Sequence, residues 1–243
     1  MKSDARNKVE SMADILKGLT SKEINEVVSL AKKQRIIKDN LEALFGAQIQ
    51  TLKDRRCPER ITELFMQAQA RVVAKALKMR FKNDRIPFLP VIPCNYITVF
   101  SQMGMVLNEN VAGYSSIYRN DTTPANPFSN KDIDLVKIPE EPYYIFNIED
   151  GTKCPNEDEI ERQINKCDRV CLTGIEIIAL AVHSDVLSKC RIIGMNSYCN
   201  EWGVASPFLF VCGTKQPILG YVYGLNDCDE GYGIPSRDRG VMV

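Results

Sequence analysis

The chain contains a single histidine, His183, within the apolar run "LTGIEIIALAVHSDVLSKC" of residues 172–190. Imidazole is the side chain whose charge changes near neutral pH, which makes it the commonest metal ligand and a frequent general base. Any mechanism of this chain that depends on a histidine must therefore use His183. The apolar flanks favour a histidine of the core or of a helix end, held by one hydrogen bond. The alternative is a polar group at the base of a pocket.

A pair of carboxylates ends the hydrophobic segment "YYIFNIEDG". Glu149 and Asp150 could bind a cation or act as a base, although an Asp-Gly step more often marks a turn. The glycine-rich segment "NDCDEGYGIPSRDRGVMV" is either frayed or packed over a site, to which it would contribute Ser236 and Arg237. The residues that could surround one pocket are Glu149, Asp150, His183, Tyr198, Trp202, Ser236 and Arg237.

The nine cysteines are unevenly spaced, and the sequence has no CxxC pair. Cys167 and Cys171 are close enough to share one side of a helix, and a zinc site would add His183 with Cys154 or Cys190. Structural zinc usually requires two closely spaced ligand clusters, and this pattern lacks them. Small buried hydrophobes are the more common role of such cysteines. The sequence therefore predicts no metal, no cofactor and no disulfide.

A thiol nucleophile would need His183 as its base and a third group to orient the imidazole. The cysteines that could serve are Cys94, Cys190, Cys199 and Cys228, and none lies in a recognisable catalytic context. The chain also lacks a P-loop, a dinucleotide-binding glycine pattern, an HExxH motif and a GxSxG elbow. Whether the protein is an enzyme stays open at this point.

Helical patterns fill the first third of the chain, over about residues 4–20, 20–34, 36–52 and 58–81. Thr20 and Glu23 form a capping box, in which the threonine hydroxyl and the glutamate carboxylate satisfy backbone N–H groups at the helix start. The fourth helix has Pro58 at a favoured first position. Its basic residues crowd the C-terminal half, where they complement the helix dipole.

Proline recurs every third residue in "IPFLPVIP", which excludes a helix interior there. Aromatic, β-rich segments then predict strands at "YITVF", "GYSSIY", "YYIFNIED", "RIIGMNSY", "PFLFVCG" and "PILGYVYGL". Two helical patterns interrupt them: residues 155–167, and the run containing His183, where Thr173 and Glu176 form a second capping box. We therefore expect an α+β fold, with a helical N-terminal region followed by a mixed, largely antiparallel sheet and two or more helices.

Charge is distributed unevenly, although the formal net charge is zero. Up to Ile86 there are 19 Lys and Arg against 11 Asp and Glu, and the remainder carries 12 against 20. Together with the change of composition, this predicts a basic helical region, residues 1–83, and an α+β domain, residues 84–243. Two solvated surfaces that attract each other would suffice to explain the charges. Binding of a partner is the alternative, and nucleic acid is disfavoured because no aromatic residues interleave with the basic ones.

The order of several motifs resembles an uncharacterised bacterial family classed as a domain of unknown function. The motifs are "IPFLPVIP", "YYIFNIEDG", "LTGIEIIALAVHSDVL", "GMNSY" and "GYGIPSRDR", over about residues 86–240. Two positions depart from the family pattern: Asn196-Ser197-Tyr198 replaces a Ser-Arg-Tyr, and Arg237 replaces a small residue or cysteine after Pro-Ser. The resemblance implies a bacterial protein and brings no biochemical activity with it.

Two functions remain for this sequence. The first is a non-catalytic binding or protein-interaction protein that contacts its partner through the N-terminal helices. The second is a small hydrolase or transferase with a site between the carboxylates at 149–150, His183 and the C-terminal segment. We expect a soluble cytoplasmic protein without a membrane anchor, because no stretch has the length and apolarity of a signal peptide or a membrane span. Delivery by a signal-less secretion system stays open.

Overall fold

A computed structural model describes residues 20–81, 84–116, 128–130, 138–151, 169–199, 205–222 and 232–243. The chain divides into two compact units, Met1–Ala43 and Leu44–Val243. Helices precede a set of mostly antiparallel sheets, and the predicted α+β class is confirmed. The helical patterns at residues 4–19 and 155–167 lie outside the described residues.

The first described helix, α1, is continuous from Ser21 to Asp54. The Thr20–Glu23 capping box is confirmed: the Glu23 carboxylate accepts from the Thr20 backbone N–H at 2.7 Å. The prediction of two helices here was wrong, because the segment between them contains neither glycine nor proline to stop the first. The helix ends at Asp54, and Arg56, two residues further on, has a φ of 63° in the left-handed region.

Two shorter helices follow, α2 at Glu59–Gln67 and α3 at Gln69–Lys78. The sequence predicted one helix here, but the backbone is interrupted at Ala68, which caps both. Pro58 stands just before the first helical residue. Both helices bury an apolar face, with Ile61 and Phe65 in α2 and Val72 and Val73 in α3.

A three-stranded antiparallel sheet lies at the core of the second unit. Strand β6, Tyr143–Ile148, is its centre, flanked by β1, Ile86–Val91, and by β14, Val241–Met242. Tyr144 of β6 contacts the rings of Phe45, Phe65 and Phe88 at centroid distances of 5.8, 5.3 and 6.1 Å. Residues 44–81 therefore share one aromatic core with the sheet.

A five-stranded sheet has the order β12–β8–β10–β11–β4. Its strands are Tyr232–Gly233, Arg191–Ile193, Ser206–Val211, Pro217–Val222 and Tyr114–Ser115, in that spatial order. The outer pairs, β12 with β8 and β11 with β4, are parallel, and the inner pairs are antiparallel. Four of these strands overlap segments that were predicted as strands from the sequence, whereas β12 was not predicted.

Three two-stranded ladders complete the described sheets. They pair β2, Leu107–Asn108, with β3, Val111–Ala112; β5, Phe128–Asn130, with β9, Ser197–Cys199; and β7, Arg169–Cys171, with β13, Ser236–Asp238.

Two helices pack among the strands: α4, Val99–Met105, and α5, Gly174–His183. The prediction of a strand at "YITVF" was wrong, because Thr98 caps α4 by accepting from the Ser101 backbone N–H. The capping box of Thr173 and Glu176 at the start of α5 is confirmed. Among the described residues, no helix is long and apolar enough to cross a membrane.

The domain boundary predicted at 83/84 remains a prediction about independent folding. The division between compact units falls earlier, at Ala43/Leu44. Gln48 of α1 donates from its side chain to the Phe88 carbonyl oxygen of β1 at 2.7 Å, across the predicted boundary. Removing residues 44–83 would therefore uncover part of the sheet.

Candidate functional site

Glu149 and Ser236, two of the residues named from the sequence, lie side by side. Their backbones exchange hydrogen bonds of 2.9 and 3.0 Å, which join the end of β6 to the start of β13. The Glu149 carboxylate forms an ion pair with Arg85 at 3.1 Å. Gly151 has a φ of 83°, which is the backbone conformation of an Asp-Gly turn. Residues 149–151 thus form a turn, which is fixed by the backbone hydrogen bonds between Glu149 and Ser236 of β13.

Arg237 is wholly buried and faces an equally buried carboxylate. Its Nε donates to Glu176 Oε1 at 2.9 Å, and both side chains are 0 % exposed. The Tyr143 hydroxyl donates to the same oxygen at 3.3 Å, while the other oxygen of Glu176 accepts from the Thr173 backbone N–H at 3.0 Å. This cluster holds β13 against the start of α5. Because solvent does not reach the two charged side chains, they are not accessible to an external molecule.

A second buried arginine binds the same strand from the other side. Arg169 of β7 donates to Ser236 and to the Asn147 carbonyl oxygen, and its Nη1 forms an ion pair with Asp238 at 3.2 Å. Asn147 has a φ of 55°, and its side-chain amide donates to Asp238 at 2.9 Å. Two buried arginines therefore lock β13 in place.

The charged residues of this cluster also affect Lys75 of α3. Burial lowers the pKa of its ammonium, against an opposing effect of Asp238, and its Nζ lies 4.1 Å from the centre of the Phe146 ring. A cation over an aromatic face gains electrostatic stabilisation that partly offsets desolvation. The contact between Lys75 and Phe146 therefore has a structural role.

His183, the last residue of α5, lines a pocket of about 440 Å3. The C-terminal end of α1 forms one wall, through Thr51 and Arg55, and the hairpin segment Leu107–Glu109 forms another. The end of α5 and the following turn complete it. The remaining lining residues are Ala181, Val182, Ser184, Asp185, Leu187 and Ser188.

Two nitrogen atoms of this pocket's side chains are buried without a protein partner among the described residues: Nδ1 of His183 and Nη1 of Arg55. Burial and, secondarily, the nearby Arg55 charge lower the pKa of His183 to about 3. The imidazole is therefore neutral at pH 7, with one ring nitrogen as donor and the other as acceptor. Such a group can hydrogen-bond a ligand, but its protonation in this buried position costs free energy.

Among the described residues, His183 does not share its pocket with the predicted carboxylates or the C-terminal strand. The cavity that contains His183 is lined by none of Glu149, Asp150, Ser236 or Arg237. Tyr198 pairs with Ser129 in the ladder of β5 and β9. Trp202 lies outside the described residues. The described part of the chain thus separates the histidine from the carboxylates and the C-terminal strand.

Metal-ligating side chains do not cluster in the described ranges: no group of three or more His, Cys, Asp and Glu is placed to hold an ion. The described cysteines with a free thiol include Cys57, Cys94, Cys190 and Cys212. Burial raises the pKa of Cys57 to about 11 and that of Cys94 to about 12, so neither is a thiolate at pH 7. Cys154 and Cys167 of the hypothetical zinc site lie outside the described residues.

Sequence reasoning missed Arg55 and the partners of Arg237. Arg55 directly follows the last residue of α1, where a basic residue is ordinary. No sequence signal linked it to His183, which follows more than a hundred residues later. The Glu176 carboxylate was recognised only as a helix cap, although it also neutralises Arg237.

The N-terminal half of α1 forms a different kind of surface. Every residue from 25 to 40 is exposed. Large apolar side chains are among them: Val27 is 44 %, Leu30 60 % and Ile37 51 % exposed. A helix with no buried face gains little stability from packing, so its apolar residues are available to another molecule.

Comparison with protein families, with curated proteins and with solved structures finds no match to this chain. The resemblance to the bacterial family of unknown function stays a prediction.

Proposed function

We propose that this protein is a non-catalytic interaction protein, whose helix α1 binds a partner helix along an apolar stripe. The stripe consists of Val27, Leu30, Gln34 and Ile37 and is called the α1 stripe below. The observation that carries the proposal is the exposure of these side chains on a helix whose residues 25–40 are all in solvent. Contiguous exposed apolar residues on a regular helix are typical of helix-pairing surfaces.

The spacing of the α1 stripe supports a helical partner. Its residues are separated by three, four and three positions, which are the a and d positions of a heptad repeat. Gln34 is the polar member, and a single polar residue at such a position commonly fixes register. Ile36 is equally apolar, at 59 % exposure, but lies on another side of the helix.

The charges beside the stripe favour a partner helix with acidic flanks. Of the flanking g and e positions, Lys33 and Lys38 are basic, Glu26 is acidic and Ala31 is uncharged. In a parallel pair of two copies of this chain, Lys33 would face Lys38 of the second copy. In an antiparallel pair of two copies, with Val27 of one opposite Ile37 of the other, Lys33 of one copy would lie near Lys33 of the second copy. Like charges at these positions oppose pairing, so the surface fits a helix with acidic flanks better than it fits itself.

Lys38 also contacts Glu42 of its own helix at 3.5 Å. Both side chains are largely exposed, and such pairs are worth little. A partner carboxylate can therefore replace Glu42 at small cost.

The test uses the full chain and a synthetic helical peptide of roughly four heptads, with leucine at a and d and glutamate at e and g. Fluorescence anisotropy of the labelled peptide should show saturable binding. Ile37→Asp and Leu30→Asp should weaken binding at least tenfold, about 1.4 kcal/mol or more. Ile36→Asp is the matched control, with the same change in the same exposed helix, and should alter the affinity less than twofold.

Three results would refute the proposal. Equal binding of a peptide with lysine at e and g would show that the partner helix does not need acidic flanks. A solution mass of twice 27.4 kDa, lost in Ile37→Asp, would make a second copy the occupant. Binding to vesicles of anionic lipid that Ile37→Asp abolishes, without any peptide binding, would make the surface a membrane contact.

A further inference from the structure

The pocket of His183 contains an arginine whose charge has no counter-ion among the described residues. The other charged residues of its lining are Glu109 and Asp185, and each is paired with its own lysine. Asp185 contacts Lys189 at 2.8 Å, and Glu109 contacts Lys215. No ion pair of Arg55 occurs in the described part of the chain, and its Nη1 is buried without an acceptor. A buried donor left unpaired costs about 1–3 kcal/mol, which an oxygen acceptor from a ligand would recover.

The walls of the pocket limit the charge of that ligand. Arg55 directly follows the last residue of α1, and His183 is the last residue of α5, so the partial negative charge of two helix ends lies near this region. Asp185 is exposed at the rim. These groups disfavour a dianion such as phosphate and tolerate a single negative charge that lies against the guanidinium.

Part of the remaining lining is apolar, and the polar side chains of Thr51 and Asn108 in it already donate to backbone carbonyl oxygens. Leu107, Leu187, Ala181 and Val182 contribute apolar surface. The hydroxyls of Ser184 and Ser188 are already donated to backbone carbonyl oxygens, at 2.7 Å each. The pocket therefore offers one guanidinium and one neutral imidazole to a polar head, and apolar side chains to the body of the ligand.

We propose that this pocket binds a small monocarboxylate with an apolar body, and that Arg55 pairs with the carboxylate while His183 hydrogen-bonds it. Arginine and carboxylate form the strongest of the common charge-assisted hydrogen bonds. Arg55 lines the pocket and is only half-buried, so its guanidinium is accessible to a ligand there. The site belongs to residues 44–243 and is separate from the α1 stripe.

The single histidine makes the test selective. Imidazole 15N resonances of the uniformly labelled full chain report His183 alone, because the sequence contains no other histidine. Titration with sodium butyrate at pH 7 should shift these resonances saturably. n-Butanol, which has the same carbon body without the charge, should give no saturable shift. Inorganic phosphate should bind at least tenfold more weakly than butyrate.

Variants at the end of α1 separate the role of Arg55 from general charge. Arg55→Gln should weaken butyrate binding at least tenfold. Lys53→Gln removes an exposed cation two residues away in the same helix turn, and it should change binding less than twofold. If Arg55→Gln does not fold, as judged by its backbone amide spectrum, Arg55→Lys serves instead. It keeps the charge but loses the planar fork, and a weaker yet saturable shift is expected.

The proposal fails if butyrate gives no saturable shift in the wild type. It fails equally if butanol binds as well as butyrate, or if phosphate binds more tightly. Unchanged affinity in Arg55→Gln, or in Arg55→Lys where that variant is used, would also overturn it.

Discussion

The buried pair of Arg237 and Glu176 should be the largest single polar contribution to stability in the described core. Both side chains are 0 % exposed, and their atoms approach to 2.9 Å. Replacing Arg237 with methionine keeps a long apolar side chain but leaves the Glu176 carboxylate buried without its cation. Loss of one partner of a buried pair generally costs about 3–5 kcal/mol.

Two local features change that figure in opposite directions. Arg237→Met also removes hydrogen bonds to the carbonyl oxygens of Asp238 and Arg239, at 2.8 and 3.1 Å. The substitution also removes one buried donor that lacks an acceptor, since Nη2 of Arg237 has no partner among the described residues. Each of these effects is worth about 1–3 kcal/mol at most, so a net loss of about 3–4 kcal/mol is expected.

Urea unfolding followed by circular dichroism measures the loss, and a double-mutant cycle isolates the pair. Glu176→Gln alone should also destabilise, because it leaves a buried guanidinium facing a neutral amide. The double variant, Glu176→Gln with Arg237→Met, should be more stable than the sum of the single effects by at least about 1.5 kcal/mol. Lys53→Met, at an exposed position, is the control and should change stability by less than about 0.5 kcal/mol. Additive single effects, or an Arg237→Met loss below about 1 kcal/mol, would refute the reasoning that the charges stabilise each other.

Three further results are expected. The folded-state pKa of His183, about 3, lies below the ordinary value of about 6.5, so stability that is complete above pH 6.5 should fall as the pH decreases toward 3. The loss from this group should be about 1–2 kcal/mol between pH 7 and 5, and unfolding curves of His183→Gln over the same range should lack it; parallel curves would contradict the shift. Arg56→Gly should raise the free energy of unfolding by about 0.5–1 kcal/mol, because glycine adopts a positive φ freely, whereas Lys53→Gly, inside the helix, should lower it; a loss in both would show that Arg56 is unstrained. The chain expressed as residues 44–243 should unfold at a higher urea concentration than residues 84–243, because Phe45 and Phe65 cover Tyr144 only in the former; equal midpoints would support the boundary at 83/84.

Local signals in the sequence predicted local structure well. The capping boxes at Thr20 and Thr173 depend on residues three positions apart, and both form as expected. The strands at 143–148, 206–211 and 217–222 follow from runs of β-branched and aromatic residues. The failures at "YITVF" and in α1 have local causes as well: a threonine cap outweighed β propensity, and no residue ended the helix.

Contacts between distant segments could not be read from the sequence. Nothing near Glu176 indicates that Arg237 will neutralise it, and nothing near His183 indicates Arg55. These pairs arise because β13 adds to β7 and because α1 and α5 end at the same cavity. The candidate site was consequently predicted as one pocket, while the described residues place its members in separate surroundings.

The position of β14 has a consequence for the order in which the protein folds. Its residues 241–242 pair with Tyr144 and Ile145 of β6, and residues 236–238 pair with β7. Until the ribosome has synthesised this segment, β6 presents one unpaired edge and the carboxylate of Glu176 lacks its cation. Pairing between such distant segments also slows folding, since the loop must close before its contacts form. A growing chain should therefore hold its helices and the antiparallel pair of β1 and β6 in an incomplete state that is exposed to edge-to-edge association until the C-terminal strands are made.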